Sequence, residues 1–71
     1  AITHAKIIAG RGSETEFRHA VDFSKDLGGK PEEWSKFVGK ITSDKYVFDV
    51  HWYEREGQMY RPKIKSQKER K

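Results

Sequence analysis

A chain of 71 residues without a single cysteine makes one small domain, which buries only about 60% of the surface its unfolded form exposes and has neither disulfides nor thiolate–metal sites to staple it. Four Phe, three Tyr and two Trp must therefore build the core. The net charge of +4 is local: Arg61, Lys63, Lys65, Lys68, Arg70 and Lys71 stand against Glu69 alone, which leaves residues 1–60 at −1 and points to a polyanionic partner.

Residues 1–9 fit either a helix stopped by Gly10 or a short strand, and Gly10-Arg11-Gly12 reads as a loop carrying an exposed Arg11. In "SETEFRHAVDFSKDLGG", Ser13 and Glu16 form a capping box. Phe17, Ala20, Val21, Ser24 and Leu27 then share a helical face, and Gly28-Gly29 supplies the stop. "KPEEWSKFVGK" predicts a second, shorter helix, with Pro31 in its first turn, Glu32 and Glu33 at its positive end and Gly39 at its close.

"YVFDVHWYERE" changes the period to two. Tyr46, Phe48, Val50 and Trp52 form an apolar set, while Val47, Asp49, His51 and Tyr53 face the other way. The strand Lys45–Glu54, a turn at residues 55–58 and a return strand Met59–Lys65 predict a hairpin. Strict alternation places Tyr60, Pro62 and Ile64 on one face of the return strand and Met59, Arg61, Lys63 and Lys65 on the other. Pro62 cannot donate to a ladder, which makes this an edge strand. From about residue 66 the basic end reads as a flexible tail. The expected class is α+β: two or three N-terminal helices followed by a small antiparallel β-sheet.

Much chemistry is excluded by what is missing. There is no P-loop, no dinucleotide fingerprint and no nucleophile elbow around any serine. His4, His19 and His51 show no metal-ligand spacing, so no metal and no cofactor is expected. No apolar stretch approaches the roughly 20 residues of a membrane span, and no signal peptide opens the chain; a start at Ala1 fits a segment cut from a longer protein or a processed terminus. What remains is histidine beside cations. Cleaving RNA without metal requires a base for the 2′-OH, an acid for the leaving oxygen and a cation for the charged transition state. His19, His51, Tyr53 and Lys63 are the catalytic candidates, and Arg11, Arg18, Arg61 and Lys65 are the candidate phosphate contacts. The competing class is a non-catalytic nucleic-acid-binding module, using the basic end for phosphates and exposed aromatics for stacking.

The segments "EFRHA" (16–20), "EEWSKFVGKI" (32–41), "KYVFDVHWYE" (45–54) and "YRPKIK" (60–65) resemble the C-terminal toxin modules of RHS-type and contact-dependent-inhibition polymorphic toxins. The resemblance implies a ribonuclease of the barnase/EndoU/colicin/RelE-like group, used in interbacterial competition. It implies tRNA or another structured RNA as substrate, a cognate immunity protein as partner and no membrane embedding. It also implies secretion or delivery as part of a larger toxin that acts in the target-cell cytoplasm. That fold builds its cleft on a sheet larger than two strands, so residues 1–9 and 40–43 would have to supply more.

Overall fold

Glu56 and Gly57 both take positive φ, 53° and 78°, the conformation a two-residue type I′ turn requires, and they tie strand β3 (Tyr46–Arg55) to β4 (Gln58–Glu69). In the computed structural model, which describes residues 2–70, this hairpin is half of a four-stranded antiparallel sheet with strand order β1-β2-β3-β4. Strand β1 is Thr3–Gly10 and β2 is Ser35–Thr42. Between them lie one helix, α1 (Ala20–Leu27), and a single 3₁₀ turn, Pro31–Glu33. Ala1 and Lys71, the last cation of the basic end, lie outside the described residues.

The expected order of two or three N-terminal helices followed by a sheet is therefore wrong: the molecule is mostly sheet, begins with a strand and has one short helix. The second predicted helix fails for a definable reason. Trp34, Phe37, Val38 and Ile41 fall at i, i+3, i+4 and i+7, which imitates a helical stripe. Glu33 Oε1 accepts from the Lys30 N–H at 2.7 Å and closes one turn, but at Trp34 the backbone is already extended, φ −90° and ψ 141°. Phe37, Val38, Ile41 and Thr42 are strand formers, and β3 offers them eight consecutive paired positions, Ser35↔Glu54 to Thr42↔Val47. Gly39 is mid-strand rather than a helix stop; it leaves the space that the Trp52 ring and Ile2 fill.

The first helix starts later than its capping box suggests. Ser13 Oγ accepts from the Thr15 N–H at 2.9 Å, a local turn that competes with helix initiation. Residues 11–19 are spent crossing from β1 to the sheet surface, and His19 becomes the N-cap residue without a side-chain cap. The helical phase shifts accordingly. Ala20 and Phe23 are buried, Leu27 packs beside them, and Val21 is 49% exposed.

The core lies between α1 and one end of the sheet. Ala9, Phe17, Ala20, Phe23 and Trp34 form it, with Tyr53 and Tyr60 packed against it. Tyr53 stacks on Phe17 at 5.4 Å between ring centres and meets Phe23 at 4.3 Å; Trp34 meets Tyr60 edge-on at 4.8 Å. Val50 and Trp52, the alternating set read from the sequence as core, are indeed buried, but on the opposite face, where Trp52 stacks on Phe37 at 5.5 Å. Tyr46 at the end of that set is exposed.

Both edge strands carry irregularities. Register shifts fall at Thr3/Lys6 and Ile7/Ala9 in the β1 pairing, and opposite Asp49/Val50 and His51/Tyr53 in the β4 pairing. At each, the edge strand has one residue more than its partner, which is the definition of a β-bulge and a device that both twists an edge and protects it. Bulging overturns strict alternation in β4: Tyr60 pairs with Tyr53 on the helix side, whereas Ile64 pairs with Val50 on the other. Pro62 lies on an edge strand, as its missing N–H demands. The expected tail from residue 66 is instead strand: Ser66, Gln67, Lys68 and Glu69 pair with Asp49, Phe48, Val47 and Tyr46.

Where β1 ends, Gly10 combines φ +83° with a backbone so close that an added Cβ would collide with the Trp34 carbonyl. Gly10→Ala is expected to cost about 1–3 kcal/mol, since it adds overpacking to a left-handed strain. A urea titration read by circular dichroism measures it, and an unshifted midpoint would contradict the packing described.

Candidate functional site

Beyond the aromatic core, the same sheet face continues as an open, cationic surface. The cross-strand pairs set its rows. His51 is opposite Val38 on one side and Lys63 on the other, and Val38 is opposite Lys6; Asp49 is opposite Lys40 and Ser66. Directly opposed side chains have Cβ atoms about 4.5–5.5 Å apart, so His51 and Lys63 are immediate neighbours. Lys65 also lines, with His51, a cavity of about 710 Å³ that takes in His4, Lys6, Lys40 and Asp49. A second cavity, about 330 Å³, lies between α1 and β4 and is lined by Phe23, His51, Tyr53, Arg61, Lys63 and Lys65. His51 and Lys65 are common to both.

The electrostatics single out His51. Its Nδ1 is enclosed and has no hydrogen-bond partner among the described residues. Burial, then the ammonium groups of Lys36 and Lys65, hold the imidazole below its ordinary pKa, against a weaker opposing pull from Asp49. A neutral imidazole at physiological pH has the lone pair a general base needs.

Asp49 is already engaged. It accepts from Lys40 Nζ at 2.8 Å and from Ser66 Oγ at 2.5 Å, and these two hydrogen bonds, Lys40 first, hold its carboxyl below the usual carboxylate range. Lys6, Lys36, Lys63 and Lys65 have no carboxylate within ion-pair distance among the described residues. The surface around His51 is thus a set of uncompensated ammonium groups, suited to a phosphodiester.

The sequence candidates separate into three groups. His51, Lys63 and Lys65 come together. Tyr53 and Arg61 border the same cavity but are partly spent on structure: Tyr53 in the aromatic core, Arg61 over the Phe23 ring at 5.1 Å and 3.9 Å from Asp26. His19, Arg11 and Arg18 lie elsewhere. His19 is exposed at the start of α1 with its ring edge-on to Phe17 at 6.4 Å, and it lines neither cavity around His51. Arg11 and Arg18 line a different depression, beside the loop and the start of α1. The sequence reading missed Lys6, Lys36 and Lys40 and left His4 unplaced. Alternation of Lys36, Val38 and Lys40 along β2 was the available signal, hidden by the helical imitation in the same segment.

Among the described residues, no group of three His, Cys, Asp or Glu side chains converges, and no helix is long and apolar enough to cross a membrane. Comparison with family models, with characterised proteins and with solved structures finds no match to this chain.

Proposed function

We propose that the chain is a ribonuclease that cleaves the RNA backbone by transesterification without a metal ion, with His51 as general base. The observation that carries this reading is a half-buried imidazole, held neutral, that shares one cavity with Lys6 and Lys65, neither of which has a carboxylate within ion-pair distance among the described residues. His51 takes the 2′-OH proton, and Lys63 and Lys65 bind the phosphate and offset the charge that grows on its oxygens in the transition state. The resemblance to the toxin modules of RHS-type and contact-dependent-inhibition systems supplies the biological setting of this proposal. In that setting, tRNA or another structured RNA is the target, the module is delivered from a larger toxin into a rival cell, and an immunity protein neutralises it by covering the cationic cavity.

A purely binding role would draw on exposed aromatics for base stacking; Tyr53 and Tyr60 pack against the core, and the exposed Tyr46 lies on the sheet face opposite His51. The deciding experiment is incubation of the purified domain with total bacterial RNA in EDTA, beside a His51→Ala control. Discrete products from the wild type alone, bearing 2′,3′-cyclic phosphate ends, are expected. Intact RNA in both lanes with a salt-dependent gel shift would overturn the enzyme in favour of a nucleic-acid-binding module.

A further inference from the structure

Building on the ribonuclease reading, we propose that His4 is the general acid that protonates the leaving 5′-oxygen, so that His4 and His51 form a two-imidazole pair across the cavity. Both side chains line the same cavity of about 710 Å³, and they enter it from β1 and β3, on either side of β2. Two strand spacings separate those strands, about 9.6 Å. Attack and departure at phosphorus are in line, so base and acid must approach from opposite sides, as these two strands do.

Two features of the backbone and side chain of His4 point the same way. Its φ is +55°, an uncommon conformation outside glycine, and it falls within the β1 bulge between Thr3 and Lys6. Bulges next to functional sites commonly re-aim a side chain, and strain of this kind is held where it serves a purpose. The ring is also oriented. The Thr3 hydroxyl donates to the Lys40 carbonyl at 3.4 Å, which leaves its oxygen to accept from His4 Nδ1–H at 3.1 Å. With Nδ1 engaged by that hydroxyl, Nε2 is the ring nitrogen left to meet a substrate.

The step balances. The 2′-oxygen gives its proton to His51 and forms the new bond to phosphorus. The bond from phosphorus to the 5′-oxygen breaks, and His4 Nε2–H protonates that oxygen. The products are a 2′,3′-cyclic phosphate and a free 5′-hydroxyl, with His51 left charged and His4 neutral. His4 is exposed, so solvent restores its proton.

The test compares an RNA dinucleotide with a nucleoside 3′-(4-nitrophenyl phosphate), whose leaving group needs no proton. Asparagine tolerates positive φ, so His4→Asn retains the β1 backbone; circular dichroism verifies its fold, and His4→Gln serves as a second variant. His4→Asn is expected to lose about 10²- to 10⁴-fold on the dinucleotide and to approach wild-type rates on the nitrophenyl ester. His51→Gln is expected to fail on both. Equal losses by His4→Asn on the two substrates, or none on the dinucleotide, would overturn the acid role while leaving the ribonuclease intact. Absence of cleavage by the wild type would overturn both.

Discussion

Replacing His51 with glutamine is expected to slow RNA cleavage by about 10²- to 10⁴-fold, the usual contribution of a single general base, equivalent to about 2.7–5.5 kcal/mol of barrier. Glutamine retains much of the shape and loses the titratable nitrogen. The pH dependence adds a sharper criterion. Burial, Lys36 and Lys65 lower the His51 pKa and Asp49 raises it less, so the acid limb of kcat/KM has its midpoint below the ordinary histidine value of about 6.5. His4, Lys6, Lys40 and Lys63 also face this cavity or its neighbour. Lys65→Ala removes one of the lowering charges and moves that limb to higher pH. A limb that does not move, or a His51→Gln rate within threefold of wild type, means that another group takes the proton.

The same shift has a stability consequence of determinate sign. Above pH about 6.5 His51 is neutral in both folded and unfolded chains and contributes nothing. As pH falls below that value the unfolded chain binds the proton first, so stability drops until the lower folded pKa is passed, and then levels off. His51→Gln removes that step from the curve of stability against pH, which denaturant titrations at several pH values resolve.

The second large effect concerns Trp34, the one fully buried large side chain among the described residues, with no exposed surface. Its ring meets Phe23 at 5.4 Å and Tyr60 at 4.8 Å, the Arg55 guanidinium lies 5.7 Å over it, and its indole N–H donates to the Gly28 carbonyl at 3.1 Å. It thus fastens helix, helix exit and both strands of the last hairpin to one another. Trp34→Ala is expected to cost about 3–5 kcal/mol. A domain of this size holds about 4–11 kcal/mol in total, and small domains lie toward the low end. The variant should be largely unfolded near 37 °C by thermal denaturation, and a melting point within a few degrees of wild type would contradict this account of the core.

These two residues also show how far the sequence reaches. The period of two in Tyr46–Trp52, the Glu56-Gly57 turn and the edge position of Pro62 are local signals, and local physics decides them. Alternation placed His51 opposite the Trp52 face without help from the rest of the chain. The helical reading of Trp34–Ile41 failed because its four apolar positions fit a helical stripe and, as a strand, split two to each face, and only a paired strand alongside them settles which is adopted. The capping box at Ser13 and Glu16 failed because the same serine closes a tighter turn, needed to carry Phe17 into the core.

The amino-acid sequence by itself determined one small cysteine-free domain, a β3–β4 hairpin with His51 on one face, and a basic C-terminal end. Tertiary structure decided which charged groups from outside the hairpin join His51. Alternation in the hairpin had already set Lys63 and Lys65 on the His51 face; what the fold adds is β2, in its unexpected strand form, with Lys36 and Lys40. Strand β1 brings His4 and Lys6 from more than forty residues away in the chain. His19, two residues from the core Phe17, is carried off by the helix it caps. Proximity in sequence fixes only the local turn and face, whereas convergence of charges on a sheet depends on register, and register is set by pairings between distant segments.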